Sequence, residues 1–71
     1  MFSIEKYGWK KEEHDSHILF YKGENFIRCS AFVVFHHEYG IHISTGADLA
    51  FEELQAIYET AKQIEKCKES E

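Results

Sequence analysis

Five histidines, two cysteines and a short acidic run are the residues whose types and spacing could do chemistry in this chain. His14 and His17 have the two-residue gap of a zinc-ligand pair. His36, His37 and His42 lie around a turn signal at Glu38-Tyr39-Gly40, and in a three-residue hairpin His36 and His42 become cross-strand neighbours able to share an ion. Against a metal centre, no Cys-x-x-Cys or His-x3-His spacing occurs, and adjacent histidines on a strand point to opposite faces. His36, His42, His14 and His17 are the candidates, and they do not assemble into a tetrahedral set. Neither a metal nor another cofactor is therefore expected, and the histidines read as ordinary turn and edge residues.

Nucleophilic chemistry fares no better. Cys29, with His17 or His36 as base, is the central thiol, but a reactive thiolate needs a polar, electropositive and partly exposed setting. Alternation places Cys29 on an apolar face between Ile27 and Ala31. Cys67, between Lys66 and Lys68, is more reactive in type but falls at the end of the last helix. Glu12, Glu13 and Asp15 cluster beside His14, yet paired carboxylates need a cleft, and a sheet with one helix leaves little room for one. No Walker or Rossmann glycine spacing occurs. An enzyme is not expected.

The elements that would position these residues follow from hydrophobic periodicity. Ile18-Leu19-Phe20-Tyr21 and Phe26-Ile27 flank Lys22-Gly23-Glu24-Asn25, a turn segment, so Tyr21 should oppose Phe26 and Phe20 oppose Ile27. The second turn should pair Phe35 with Ile43, His36 with His42 and His37 with Ile41, with Gly40 left-handed. Strands are predicted over 18–22, 25–37 and 41–45, and a short first strand over 2–9. Lys10 to His17 is uniformly polar and reads as a loop or the solvated start of the next strand. A helix is predicted over 49–68, with Leu54, Ile57, Tyr58, Ala61 and Ile64 inward, Phe51 at the edge of that stripe, and Leu49 and Leu54 as a staple around an N-cap at Ala50. The fold class is α+β: an antiparallel meander of three or four strands against one C-terminal helix, in a single domain over 1–71.

One sheet face collects Ile18, Phe20, Ile27, Cys29, Ala31, Val33, Phe35, Ile41 and Ile43 and should meet the helix. The other collects Leu19, Tyr21, Phe26, Phe32 and Val34, an apolar patch of the kind that marks an interaction site, unless residues 2–9 cover it. With 13 acidic against 8 basic residues the net charge is -5, which weighs against direct nucleic-acid binding. Seven of the acids fall after Thr45, and the helix exterior carries Glu52, Glu59, Glu65 and Glu69. The longest apolar run, Ala31 to Phe35, is too short to span a membrane, and no secretory signal opens the chain, so a soluble cytoplasmic protein with reduced thiols is expected.

Size, acidity and the lack of a catalytic motif are similar to those of short phage- or mobile-element-encoded inhibitors, anti-CRISPR proteins among them. That resemblance implies an acidic helix face mimicking nucleic-acid charge against a basic groove on a larger protein. The expected function is thus a non-enzymatic protein–protein interaction module. The alternatives are a homodimer built on the aromatic face, which would stabilise so short a chain, and a small histidine-based metal-binding domain.

Overall fold

A computed structural model describes residues 2–38, 40–46 and 48–69; Tyr39, at the centre of the second turn, and the side chains of Lys68 and Glu69 lie outside the described residues. The strands are β1 (Lys10–Glu13), β2 (His17–Gly23), β3 (Cys29–His36) and β4 (Gly40–Thr45), followed by the helix α1 (Phe51–Glu69). They form one antiparallel sheet in the order β1-β2-β3-β4. The α+β meander expected from the sequence is present, with four strands. No helix among the described residues is long and apolar enough to cross a membrane.

The first strand is not where the sequence suggests it. Residues 2–9 contain a 3-10 helix, Ser3–Tyr7, and β1 is the polar Lys-Lys-Glu-Glu run, read from the sequence as a loop or the solvated start of the next strand but a separate strand of its own. Loose alternation in 2–9 is overridden by long-range hydrogen bonds from α1. Ser3 N–H donates to Gln63 Oε1 at 2.9 Å and Ile4 N–H to Thr60 Oγ1 at 3.0 Å, while Phe2 N–H donates to Glu5 Oε2 at 2.7 Å. These side chains satisfy amides that a short helical turn leaves orphaned. Ile4 and Trp9 are thereby buried against α1 and the same sheet face. The segment neither extends the sheet nor crosses its aromatic face.

β1 carries no hydrophobic alternation because it is an edge, held by its ladder to β2 through the bonded pairs Lys10↔Tyr21 and Glu12↔Leu19. Its helix-side cation does some packing: the Lys11 ammonium lies 5.5 Å from the Phe2 ring centroid.

Both predicted registers slip. Tyr21 pairs with Phe32 and Phe20 with Val33, not with Phe26 and Ile27, because Phe26, Ile27 and Arg28 belong to the connection rather than to β3. Local bonds hold that connection: Arg28 N–H donates to Asn25 Oδ1 at 2.8 Å, and Glu24 N–H to Arg28 O at 3.3 Å. β4 is shifted by two residues, with Phe35↔Ile41, Val34↔His42 and Val33↔Ile43, and Gly40 left-handed at φ 106° as expected.

A bulge at Lys22/Gly23 ends the β2–β3 ladder. A Cβ on Gly23 would meet the Arg28 carbonyl oxygen at 2.5 Å and Cys29 Cα at 2.6 Å, both backbone atoms. Gly23→Ala is therefore expected to cost about 2 kcal/mol of stability, measured as a lower urea midpoint at unchanged m-value. A wild-type midpoint would show that the loop yields freely.

The core lies on one face of the sheet, where Ile18, Phe20, Ala31, Val33 and Phe35 meet Ile4, Trp9, Ala56 and Ile57. The buried stripe of α1 is Glu53, Ala56, Ile57 and Thr60, with Ala61, Gln63 and Ile64 half-buried. Relative to the predicted stripe the helix is turned by about a quarter turn. Phe51, Leu54 and Tyr58 are left outside, and the Leu49–Leu54 staple closes on one side only, with Leu49 packed and Leu54 exposed.

Candidate functional site

His14, His17, His36 and His37 gather at one end of the sheet without converging. His17 pairs with His36 across β2 and β3, their ring centroids 5.9 Å apart, and His14 stacks on His17 at 4.6 Å. His14 Nε2 lies 2.8 Å from Glu12 Oε1, and His17 Nδ1 lies 3.0 Å from Ser16 Oγ. The expected His36–His42 pair is not formed: His42 sits opposite Val34 and its ring contacts Phe32. The two-residue register shift is the cause. Among the described residues no three His, Cys, Asp or Glu side chains are grouped so as to hold a metal ion.

The thiols are equally scattered. Cys29 is half-buried at the far end of β3 from His36, pairing with Gly23, and its Sγ donates to the Phe26 carbonyl at 3.1 Å. It does not sit in the core as the alternation implied, because the bulge ends the regular ladder there and Ile27 is 91% exposed in the connection. Glu12 and Glu13, consecutive on β1, face opposite sides of the sheet.

The aromatic face is real but is largely closed by its own side chains. Leu19 is buried and Tyr21, Phe32 and Val34 are half-buried. Phe26 folds back from its loop to meet Phe32 edge-on at 5.1 Å, and His42 lies on the other side of that ring at 5.8 Å. Of the five apolar residues expected to form the interaction patch, only Phe26 is exposed. The acidic helix residues Glu52, Glu59 and Glu65 are all exposed as expected. By the helical period Lys62 and Lys66 fall among them, so that exterior alternates in sign.

The large exposed apolar surface is elsewhere. Ile41 (47% exposed) and Ile43 (40%) on β4 lie on the helix side of the sheet, and Phe51 (89%), Leu54 (53%) and Tyr58 (63%) project from α1. Leu54, Tyr58, Ala61 and Glu65 share one flank of the helix. Ala61 and Glu65 line a cleft of about 400 Å³ together with Gly40 and Ile41, so this flank is the one beside β4. The helix leans toward the N-terminal 3-10 turn, which its opposite flank binds through Thr60 and Gln63, and the β4 side is left uncovered. Two features combined to hide this surface from the sequence. Leu54 and Tyr58 fit an inward stripe by spacing alone, and the polar residues that displaced them, Glu53 and Thr60, fit an exterior.

Among the described residues, Glu53 is the one polar interior group with perturbed chemistry. Its Oε2 accepts from Trp9 Nε1 at 2.9 Å and from Lys22 Nζ at 2.8 Å. The Lys22 ammonium first, and the Trp9 indole N–H after it, hold this carboxyl below its ordinary range, against the opposing effect of burial. A signal for it was present: strand alternation sets Lys22 on the same face as Ile18 and Phe20, where a cation requires a partner. The cluster is open to solvent only on its Lys22 side, where that side chain is 40% exposed.

Comparison with protein-family models, with curated proteins and with solved structures found no match for this chain.

Proposed function

We propose that this protein is a non-enzymatic protein–protein interaction module. The observation that carries the proposal is the apolar flank: Ile41, Ile43, Phe51, Leu54 and Tyr58 stay in solvent along one side of a domain otherwise able to bury Ile4, Trp9 and Phe20. Apolar side chains left exposed on both β4 and the neighbouring flank of α1 are what an association surface on so small a domain needs. Tyr and Phe in particular supply large contact area at low entropic cost. In the finer form suggested by size and acidity, the partner is a larger, nucleic-acid-binding protein inhibited through Glu52, Glu59 and Glu65. Lys62 and Lys66 dilute that acidic face, so the apolar flank is placed first.

A photo-crosslinking residue placed at Leu54 or Tyr58 in cells is expected to give discrete adducts, and one placed at Glu12 on the charged β1 edge is not. Adducts from Leu54 and Tyr58 no stronger than those from Glu12 would sink the proposal.

A further inference from the structure

We infer that the occupant of the apolar flank is a second copy of this chain, joined edge to edge along β4 in an antiparallel pairing that yields one continuous eight-stranded sheet. The inference rests on the interaction-module reading and names its partner.

The two edges of the sheet differ in the way that matters for such pairing. β1 presents Lys10, Lys11, Glu12 and Glu13, all exposed, a charged edge of the kind that blocks strand addition. β4, Gly-Ile-His-Ile-Ser-Thr, has no Lys, Arg, Asp, Glu or Pro. Its backbone is also poised for addition. Gly46 N–H donates to Ser30 O at 3.0 Å, in register with Val34↔His42 and Phe32↔Ser44. In an antiparallel ladder bonded pairs alternate, so His42 and Ser44 bond to β3 while the N–H and C=O groups of Ile41 and Ile43 point away from the sheet.

An isologous pairing uses these groups twice. With His42 opposite His42 of the second copy, Ile41 opposes Ile43 of the second copy and the reverse holds across the axis. The two-fold stands perpendicular to the sheet, so both α1 helices lie on one face. Leu54 and Tyr58 then close over the four isoleucines. No formal charge on the paired strands opposes this, although the chain as a whole is at -5.

The area is of the right order. At side-chain areas of about 200 Å², the five exposed apolar residues present roughly 600 Å² per copy. Backbone and rim atoms of β4 bring this toward the ~800 Å² per partner of a stable interface. A second copy also answers the marginal stability of a 71-residue chain.

Sedimentation velocity of the purified full chain across a wide concentration range tests this, with amide exchange read at Ile41 and Ile43. The expected result is a monomer–dimer equilibrium in which those two amides slow as dimer forms. Ile43→Lys should weaken self-association by about a hundredfold or more by placing unpaired charge in the seam. Tyr58→Glu, which leaves the sheet untouched, should weaken it as well, and Ile27→Lys should not. A chain that stays monomeric throughout overturns the inference, as does a dimer indifferent to both Ile43→Lys and Tyr58→Glu. If the chain is monomeric but Leu54 and Tyr58 give adducts with another protein in cells, the second copy is wrong and the interaction module stands. If neither dimer nor adduct forms, both fail.

Discussion

Glu53→Ala is expected to lower the unfolding free energy by about 3 kcal/mol, an unusually large effect for an acidic residue in the first turn of a helix. The side chain is only 11% exposed and its Oε2 is the acceptor for both Trp9 Nε1 and Lys22 Nζ. Truncation leaves the indole N–H of a buried tryptophan without an acceptor. Lys22, whose side chain is 40% exposed, can turn to water, so the indole accounts for most of the loss. Glu53→Gln keeps an amide oxygen as acceptor and should cost about 1 kcal/mol.

The pH dependence has a definite sign. The carboxyl pKa is lowered from 4.5 in the folded protein, chiefly by Lys22 and then by Trp9. A depressed folded pKa makes the contribution complete above the unfolded value, and lost as pH falls below 4.5 and through the folded pKa. Unfolding free energies of wild type and Glu53→Gln, measured by urea from neutrality to below pH 4.5, should therefore converge on acidification. Parallel curves, or a loss under about 1 kcal/mol for Glu53→Ala, would reduce the cluster to an ordinary surface ion pair.

Phe20→Ala is the second large effect, about 4 kcal/mol. At ~0.1 kcal/mol per residue this chain has on the order of 7 kcal/mol in total, so the variant retains a minority of its stability. Phe20 is fully buried in β2 and is the meeting point of the N-terminal turn and the sheet. Its ring lies edge-on to Phe2 at 5.8 Å and to Phe35 at 5.7 Å. Collapse into the space is limited, since Val33 opposite it and Ile4 are also fully buried. Leu54→Ala makes the informative contrast. On the inward stripe assigned by spacing it would cost about 3 kcal/mol, whereas half-exposed on the β4 flank it should cost the monomer, at concentrations too low for self-association, under about 1 kcal/mol. Urea unfolding followed by circular dichroism measures both, and a large loss at Leu54 would place the helix in the rotation the sequence suggested.

The sequence by itself determined which residues share a face of β2, β3 and β4, even though both registers derived from it were wrong. The first slipped by six residues and the second by two. Because side chains alternate with a period of two, an even slip leaves every residue on its own side. Ile18, Phe20, Val33 and Phe35 therefore face the helix as expected, and Tyr21, Phe32 and Val34 face away. Functional details that depend on opposition rather than side did not survive, and the His36–His42 pair is the clearest case.

Tertiary structure alone decided three things. It made a strand of Lys10–Glu13, whose ladder to β2 needs no apolar face at a sheet edge. It wound Ser3–Tyr7 into a 3-10 turn, because Thr60 and Gln63, nearly sixty residues away, accept its amides. It also rotated α1, since burying Thr60 and Glu53 with their hydrogen bonds satisfied lets the helix dock the N-terminal turn and Trp9. Periodicity ranks residues by hydrophobicity and cannot foresee that a threonine and a glutamate will find buried partners. That exchange, two polar residues in and Leu54 and Tyr58 out, is the physical reason the apolar flank beside β4 exists.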